Sequence, residues 1–281
     1  MTDGILLATD LDRTVLPNGP QTESTTARPL LRALTQHPEV TLVYVSGRGE
    51  VLLKEAIETY DIPVPAYAIG DVGTTIFVTH DGSWKPLKEW QDTIAPDWKG
   101  NDWSTMKALF DDIDTLTLQE DSKQNTYKLS YYAPEDADKD VLIAAMQQRL
   151  DRKSIHASLI WSIDESAHTG LMDVLPRSST KLGALRFLME FLGFSEEHTV
   201  FCGDSGNDLP VLTSGLKVVL VKNAHDAVRK EVLTHHRAHR ASERLYVARG
   251  DFLGMNGNYA AGVLEGTAHF FPELEKLMTN L

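Results

Sequence analysis

Short apolar runs recur along the chain, and each is bounded by glycine, proline or acidic residues. Runs of five or six residues are too short for independent helices and are typical of buried strands. The pattern therefore predicts strands at ILLAT (5–9), TLVYV (41–45), AYAIG (66–70), LMDVL (171–175), TVFCG (199–203) and LKVVLV (216–221).

Helix-like segments separate several of these runs. The clearest is 180–192, where four leucines and a methionine fall on one helical face, Ser179 or Thr180 can cap the start and Gly193 can end the helix. Strands that alternate with helices predict an α/β fold whose core is a Rossmann-like parallel sheet between helical layers. Ligands of such sheets bind at the carboxyl ends of the strands.

The rhythm changes in the middle of the chain. The stretch 84–170 holds all five tryptophans and many acidic residues, with a strand-like QNTYKLSYY (124–132) and a helix-like segment at 136–150. We interpret this stretch as an α+β cap domain inserted into a core formed by 1–83 and 171–281. The alternative is one enlarged domain in which the stretch adds extra layers. For at least three of the tryptophans we expect packing in the core of this small domain.

Composition and charge exclude several classes of protein. The 281 residues are 42% hydrophobic, which is enough for a packed interior, and the formal net charge is −13. That charge argues against general attraction to nucleic acids or anionic membranes. No window approaches the roughly 18 apolar residues of a membrane helix, and the first residues do not resemble a signal peptide. We therefore expect a cytoplasmic protein that binds neither nucleic acid nor membrane, and a monomer.

We expect the single cysteine and a histidine-rich segment to have structural roles and no catalytic or metal-binding role. Cys202 is the only cysteine and has apolar neighbours, so we expect a buried thiol. The histidine-rich segment HHRAH (235–239) could suggest a metal site, but no nearby carboxylate or cysteine completes a ligand set. We interpret it as an exposed, charged turn.

An acidic pair follows the first predicted strand. Asp10 and Asp12 come directly after the apolar run, at the edge of the sheet where ligands bind, with Leu11 pointing elsewhere. Two close carboxylates repel each other unless a cation lies between them or one keeps a proton. The pair therefore favours a hard divalent ion, most simply Mg²⁺. The alternative is that both acids open a solvated turn.

A second acidic cluster, GDSGND (203–208), also follows a predicted strand. Asp204 and Asp208 lie four residues apart and can face one ion if the loop leads into a helix, while Asn207 adds a neutral polar group. Alone, such a loop could be an ordinary helix cap. Two acidic loops at the ends of strands in one parallel sheet indicate a joint metal site.

Two further segments supply groups that a phosphoryl ligand needs. Ser46 and Gly47 follow another predicted strand and offer a hydroxyl and an amide to phosphate oxygens. Lys181 opens the predicted helix, where its cation adds to the positive end of the helix dipole. Taken singly, Ser46 could be a turn residue and Lys181 a surface lysine. The order of the motifs along the chain, each at a strand end or a helix start, favours a phosphate site.

This ordered set resembles the haloacid dehalogenase superfamily of phosphotransferases. DLDRT (10–14) matches its nucleophile motif, Ser46 its hydroxyl motif, Lys181 its lysine motif and GDSGND (203–208) its acidic motif. The resemblance implies that Asp10 attacks phosphorus to form an aspartyl phosphate.

The same resemblance assigns the remaining roles. It implies that Asp12 protonates the leaving alcohol and later activates water, so we expect the pKa of Asp12 to be raised. Asp10, the main-chain carbonyl of Asp12 and Asp204 would bind Mg²⁺, with Asp208 supporting the site. Ser46, Gly47, Lys181 and Asn207 would hold the phosphoryl group.

Within the superfamily, the large insert is similar to the cap of the sucrose-phosphate phosphatase group. The supporting segments are TYKLSYY (126–132), LMDVLPRSSTKLGALRFL (171–188) and NYAAGVLEGTAHF (258–270). We place Arg48 and Lys128 nearest the sugar or its phosphate. Arg13 departs from the pattern, since the superfamily usually has glycine there, and Ser46 stands where this group often has threonine.

The resemblance implies Mg²⁺-dependent hydrolysis of a sugar phosphate, with sucrose 6-phosphate or a related glycosyl phosphate as substrate. Two alternatives remain from the sequence: a sugar phosphomutase of the same superfamily, and a non-catalytic module that binds metal or sugar phosphate.

Overall fold

The computed structural model describes residues 4–79, 82–164 and 167–279. Its strands are β1 (Ile5–Thr9), β2 (Val40–Val45), β3 (Tyr67–Gly70), β4 (Thr75–Val78), β5 (Lys85–Pro86), β6 (Thr117–Leu118), β7 (Leu129–Pro134), β8 (Ala157–Asp164), β9 (Thr169–Pro176), β10 (Thr199–Gly203), β11 (Lys217–Leu220) and β12 (Leu245–Val247). Its α-helices are α1 (Ala27–Thr35), α2 (Glu50–Tyr60), α3 (Lys88–Ile94), α4 (Trp103–Lys107), α5 (Lys139–Arg152), α6 (Lys181–Leu192), α7 (Leu209–Leu212), α8 (Asp226–Ala238), α9 (Ala260–Phe270) and α10 (Glu275–Thr279).

The contacts divide the chain into two units. The larger unit combines Met1–Pro86 with Lys181–Leu281, and the smaller unit is Leu87–Thr180. The smaller unit extends past the boundary predicted at residue 170, because β9 pairs within its sheet.

The larger unit is built on an eight-stranded sheet with the order β12-β11-β10-β1-β2-β3-β4-β5. The strands from β12 to β3 are parallel, and β4 and β5 pair antiparallel at one edge. This is the predicted α/β architecture with a mainly parallel sheet. Five predicted strands are confirmed with ends shifted by at most one residue: 5–9, 41–45, 66–70, 199–203 and 216–221.

The helices of this unit pack in two groups. One group joins α1, α9 and α10, and the other joins α6, α7 and α8. Right-handed crossovers between parallel strands place helices on both faces of a sheet, which leaves the central strands buried on both sides. All five residues of β1 and all five of β10 are buried, so these apolar runs are explained by burial. Cys202 lies within β10 as a buried free thiol, and burial raises its pKa, which confirms the prediction for this residue.

The register of the strands brings the segments that follow β1, β2 and β10 to the same edge of the sheet, at the carboxyl ends of these strands. Thr9 of β1 lies opposite Cys202 of β10 and Tyr44 of β2, and the Asp10 amide donates a hydrogen bond to the Cys202 carbonyl at 2.9 Å. The segments that follow β1, β2 and β10 therefore leave the sheet side by side. These segments carry the predicted nucleophile, hydroxyl and acidic motifs.

The smaller unit has a four-stranded antiparallel sheet with the order β6-β7-β9-β8. The prediction of a core strand at 171–175 was wrong, because this run lies in β9, between β7 and β8. The residues of β9 alternate between buried and half-buried positions over most of its length. An apolar run with one polar residue fits either a parallel core strand or the middle of a small antiparallel sheet, so hydrophobicity alone could not separate them.

Aromatic residues pack the core of the smaller unit. Trp98 is fully buried in a cluster with Phe110 and Tyr131, and Trp103 and Trp161 pack against that cluster. Core packing of at least three tryptophans is therefore confirmed.

The histidine-rich segment is not the exposed turn that the sequence predicted. It lies in the last turns of α8, and His236 is buried. Its two ring nitrogens lie 3.0 Å from the carbonyl oxygen of Ala241 and 2.8 Å from that of Leu212. With a main-chain acceptor beside each ring nitrogen, the buried imidazole can donate a hydrogen bond in either tautomer. The count of polar residues in the segment could not reveal these contacts.

In the described part of the chain, helices that combine the length and the apolar character needed to cross a membrane do not occur.

The packing of α9 on the sheet gives a stability prediction. A Cβ on Gly266 would lie 2.3 Å from a methyl group of Val219 in β11, so Gly266→Ala should lower the free energy of unfolding by about 1–3 kcal/mol. Denaturant unfolding measures this loss. In a Val219→Ala background the loss should shrink, because the clashing methyl groups are gone. Equal losses in both backgrounds would show that this contact is not the cause.

Candidate active site

Three carboxylates from two loops meet at the carboxyl edge of the central strands. Asp10 follows β1, and Asp204 and Asp208 follow β10; all three are buried, and one oxygen from each lies within 4.8 Å of the others. The structure therefore brings together the two acidic loops that the sequence singled out. The side chain of Asp12 lies outside this cluster, although the sequence analysis placed Asp12 in the metal site through its carbonyl group.

Lys181 joins the two loops. Its ammonium group donates to Asp10 Oδ1 and to Asp208 Oδ1 at 2.8 Å each, and to Asn207 Oδ1 at 3.1 Å. Lys181 is 4% exposed. Burial alone would lower the pKa of its ammonium, but Asp10 and Asp208 outweigh that effect and raise the pKa above its usual value. The lysine is therefore charged, and it holds the two acidic loops at fixed positions.

The loop after β10 depends on a close backbone approach. Asp208 Oδ2 accepts hydrogen bonds from the amides of Asp204 at 3.2 Å and Ser205 at 3.4 Å. A Cβ on Gly203 would lie 2.7 Å from that same carboxylate oxygen. Glycine is therefore required at 203 so that the Asp208 side chain can fold back onto its own loop.

Arg13 places a second cation beside the cluster. Its Nε lies 3.3 Å from Asp204 Oδ2, and its carbonyl oxygen accepts a hydrogen bond from Asn223 Nδ2 at 2.6 Å. The backbone of Arg13 has φ 61°, in the left-handed region, which costs a residue with a Cβ roughly 1–2 kcal/mol. Glycine suits this position because it has no Cβ and adopts the left-handed region without that cost. For arginine, the contact with Asp204 offsets part of the cost.

Asp12 is held by a cation of its own. Arg48 donates to both of its oxygens, from Nε to Oδ2 at 2.9 Å and from Nη2 to Oδ1 at 2.7 Å, and Asn18 Nδ2 donates to Oδ1 at 2.7 Å. Burial alone would raise the pKa of Asp12, but the hydrogen bonds and charge of Arg48 outweigh it and hold the pKa below its usual value. The expected rise was therefore wrong for this arrangement.

The pKa of Asp10 is shifted in the opposite direction to that of Asp12. Burial, with the added repulsion of Asp208 and Asp204, raises the pKa of Asp10 from 3.8 to about 8 even though Lys181 lowers it. Burial and Asp208 also raise the pKa of Asp204. The cluster therefore resists carrying its full negative charge without a further cation.

The donor set fits a hard divalent cation. Among the described residues, the cations within 4.0 Å of the three carboxylates are those of Lys181 and Arg13. Asp204 Oδ2 is buried and, among the described residues, has no hydrogen-bond partner. A buried carboxylate oxygen without a donor is costly, and oxygen-rich sites of this kind suit Mg²⁺.

The predicted hydroxyl motif lies at the same edge of the sheet. Ser46 directly follows β2, is 1% exposed, and its Oγ accepts a hydrogen bond from the Arg48 amide at 3.2 Å. Gly47 next to it is exposed. Both can therefore face a ligand at the carboxyl ends of β1 and β2.

Lys128, predicted to bind substrate, lies in the smaller unit. Its ammonium group donates to the Lys123 carbonyl at 2.8 Å and to Ser130 Oγ at 2.6 Å, and lies 3.5 Å from Asp173 Oδ1. These contacts hold the loop before β7 against the sheet of that unit.

The sequence analysis did not assign roles to three residues that contact the site. Thr14 Oγ1 lies 3.4 Å from Asp204 Oδ1, Asn18 contacts Asp12, and Asn223 contacts Arg13. Thr14 ends the DLDRT motif and could have been found there. Asn18 and Asn223 belong to irregular loops, and no pattern in the sequence marks them.

Comparison with known proteins adds independent findings. The family model for sucrose-6F-phosphate phosphohydrolase matches residues 4–271. A protein of Nitrosococcus oceani named as a HAD-like hydrolase is 53% identical over 99% of this chain and 75% of its own length. Sucrose-phosphatase 1 of Nicotiana tabacum is 27% identical over 95% of this chain, which spans 59% of that protein.

A solved structure agrees with these relatives. The sucrose-phosphatase of Synechocystis sp. PCC6803, in complex with sucrose and phosphate, superposes with a TM-score of 0.67 at 25% identity. The match covers 96% of this chain and 99% of that one. The haloacid dehalogenase fold expected from the motifs is thereby confirmed.

The opposite pKa shifts of two nearby acids give a test without any substrate. In chelator, wild-type stability should fall as pH rises from about 4 to about 8, because folded Asp10 holds its proton over that range and the unfolded chain does not. Asp10→Asn removes this loss, so its melting temperature should rise relative to wild type as pH increases.

Asp12→Asn is the matched control with the opposite sign. The pKa of Asp12 is lowered, so the wild type gains stability from this carboxylate above about pH 4 and loses it below. Asp12→Asn should therefore be less stable than wild type at neutral pH, and the difference should shrink in acid. A gap between Asp10→Asn and wild type that stays constant with pH would contradict the raised pKa of Asp10.

Proposed function

Because this chain belongs to the sucrose-6F-phosphate phosphohydrolase family, we propose that it hydrolyses a sugar phosphate monoester, with sucrose 6-phosphate as its substrate. The observation that carries the proposal is the position of Lys181, whose ammonium group lies 2.8 Å from both Asp10 and Asp208. A buried cation next to a carboxylate nucleophile offsets the repulsion between that carboxylate and an anionic phosphate.

In the first step, a carboxylate oxygen of Asp10 attacks phosphorus, and the bond between phosphorus and the sugar oxygen breaks. The leaving sugar oxygen takes a proton from Asp12. Lys181, Ser46 and the Gly47 amide donate to the phosphoryl oxygens, where charge develops. The products of this step are the free sugar and an aspartyl phosphate on Asp10.

In the second step, Asp12 takes a proton from water, and the water oxygen attacks phosphorus. The bond between phosphorus and Asp10 breaks, which releases inorganic phosphate and regenerates both acids. Each of the two displacements, assisted by a positioned acid or base, has a lower activation barrier than one direct attack by water on the phosphate ester.

Mg²⁺ would be held by Asp10, Asp204 and the main-chain carbonyl of Asp12, with Asp208 in support, and when bound it neutralises charge on the transferring phosphoryl group. Asp204 Oδ2 supports this assignment, because it is buried and accepts no hydrogen bond among the described residues, with Arg13 Nε as an ion-pair contact at 3.3 Å.

The contact between Asp12 and Arg48 suggests how the protonation of Asp12 is controlled. While Arg48 donates to both oxygens of Asp12, the lowered pKa favours the carboxylate, which suits the second step. The first step needs a protonated Asp12. An anionic substrate that draws Arg48 away from Asp12 would raise the pKa of that acid, so we assign Arg48 to the substrate as well.

Sucrose 6-phosphate is supported by the description of the family and by the complex of the Synechocystis protein with sucrose and phosphate. We assign recognition of the sugar to the smaller unit.

A phosphate-release assay tests the activity. With Mg²⁺ present, hydrolysis of sucrose 6-phosphate should yield one phosphate per sugar released. The rate of phosphate release should be higher with sucrose 6-phosphate than with glucose 6-phosphate or fructose 6-phosphate. Asp10→Asn should lower turnover by at least about 10³-fold, because it removes the nucleophile. Asp136→Asn, at an exposed position of the smaller unit, is the matched control and should retain full activity.

Each alternative predicts a different outcome of that assay. Isomerised sugar phosphate without phosphate release would identify a phosphomutase. A wild-type protein that binds the substrate but never converts it would identify a binding module. Release that persists in full with chelator would contradict the assignment of Mg²⁺.

Arg13 gives a separate test of the metal site. Its guanidinium lies 3.3 Å from Asp204, so it repels a divalent cation bound there. Arg13→Asn, which tolerates the left-handed backbone, should bind Mg²⁺ about tenfold more tightly in a calorimetric titration. Arg186→Gln, at an exposed position of α6, is the control and should bind as the wild type does. Unchanged or weaker binding by Arg13→Asn would show that Arg13 does not compete with the metal.

A further inference from the structure

An open cavity lies in the larger unit, along the edge strand β12. It has a volume of about 500 Å³ and is lined by residues of α8, β12 and the end of α9. None of the residues that line it belongs to the acidic cluster, and β12 is separated from β1 by two strands of the sheet. The cavity is therefore distinct from the candidate active site.

Three arginines line this cavity: Arg229, Arg237 and Arg249. Among the described residues, no carboxylate oxygen lies within 4.0 Å of their guanidinium nitrogens. Arg237 and Arg249 are exposed. In a chain with a net charge of −13, three arginines at one cavity without acidic partners are an unusual concentration of positive charge.

Arg229 is partly fixed in position. Its Nη2 donates to the carbonyl oxygen of Lys222 at 2.6 Å, while its Nε is buried and has no hydrogen-bond partner among the described residues. The hydrogen bond to Lys222 therefore holds the Arg229 guanidinium group at the wall of the cavity, where its charge adds to those of Arg237 and Arg249.

Two histidines also line the cavity. The ring nitrogens of His236 face the carbonyl oxygens of Ala241 and Leu212, so His236 contributes the side of its ring to the lining. His269 stacks on Tyr246 with ring centroids 4.3 Å apart and forms a flat wall.

One carboxylate does lie near the cavity, but its oxygens are already engaged. Glu265 is buried and accepts hydrogen bonds from the hydroxyl group of Tyr246 and from the amides of Arg249 and Gly250, at 2.8–3.0 Å. Its negative charge therefore stabilises the turn after β12 and does not pair with the arginine side chains.

We propose that this cavity is a second anion site, which binds a small molecule through a phosphate group. The volume falls within the range of small-molecule sites. Guanidinium groups match phosphate oxygens with paired hydrogen bonds, and the aromatic wall offers a surface for the rest of the ligand. The proposal does not depend on the activity assigned to Asp10.

Calorimetric titration with inorganic phosphate, in chelator, tests the site. The wild type is compared with Arg237→Gln/Arg249→Gln, in which both altered side chains are exposed, and with Lys181→Met, which disables the catalytic phosphate site. Arg152→Gln, at an exposed position of α5, is the matched control. Circular dichroism melts without phosphate establish that each variant is folded.

Lys181→Met isolates the cavity from the catalytic phosphate site. In that background, Arg237→Gln/Arg249→Gln should weaken phosphate binding by at least about tenfold, while Lys181→Met alone and Arg152→Gln should retain binding at the cavity. Arg229→Gln should weaken it as well, which provides a second route if the double variant is unstable. Phosphate binding that Lys181→Met abolishes and the arginine variants leave unchanged would overturn the proposal. So would the absence of phosphate binding by Lys181→Met and wild type alike.

Discussion

The candidate active site depends on one buried interaction, the contact of Lys181 with Asp10 and Asp208. These residues come from three distant parts of the chain, and the ammonium group lies 2.8 Å from an oxygen of each acid. Without that cation, three buried carboxylates would repel one another at the end of the sheet. With it, the acidic loops after β1 and β10 keep a fixed spacing, and enough negative charge remains to attract a divalent ion. We assign the same lysine to the phosphoryl group in the proposed reaction, so one residue serves both the fold and the proposed chemistry.

Much of this arrangement could be predicted from the sequence, because it depends on short-range patterns. Apolar runs such as 5–9 and 199–203 give strands that are buried on both faces, and the acids that follow them must lie at the edge where parallel strands end. The helix after Thr180 was equally clear from its apolar face and its terminal glycine. The order of the motifs favoured a phosphate site, and the resemblance to the haloacid dehalogenase superfamily assigned Lys181 and the two acidic loops to that site.

What the sequence could not predict are contacts between side chains that no local pattern connects. The contact of Arg48 with Asp12 reverses the expected direction of the Asp12 pKa, and the left-handed backbone of Arg13 brings a cation to Asp204. The run 171–175 was placed in the wrong sheet because hydrophobicity does not distinguish a parallel core strand from the centre of an antiparallel sheet. The cationic cavity was missed because Arg229 and Arg249 are separated in sequence and line one cavity only in the folded chain.

The central claim is that Asp10 carries the phosphoryl group between the two steps. Rapid acid quenching of the enzyme during turnover of phosphorus-labelled sucrose 6-phosphate tests it directly. We expect label on the protein that is lost on treatment with hydroxylamine, as an acyl phosphate is, and that maps to the peptide containing Asp10. Phosphate release at the full rate with no protein-bound label, or label on a different residue, would contradict the account.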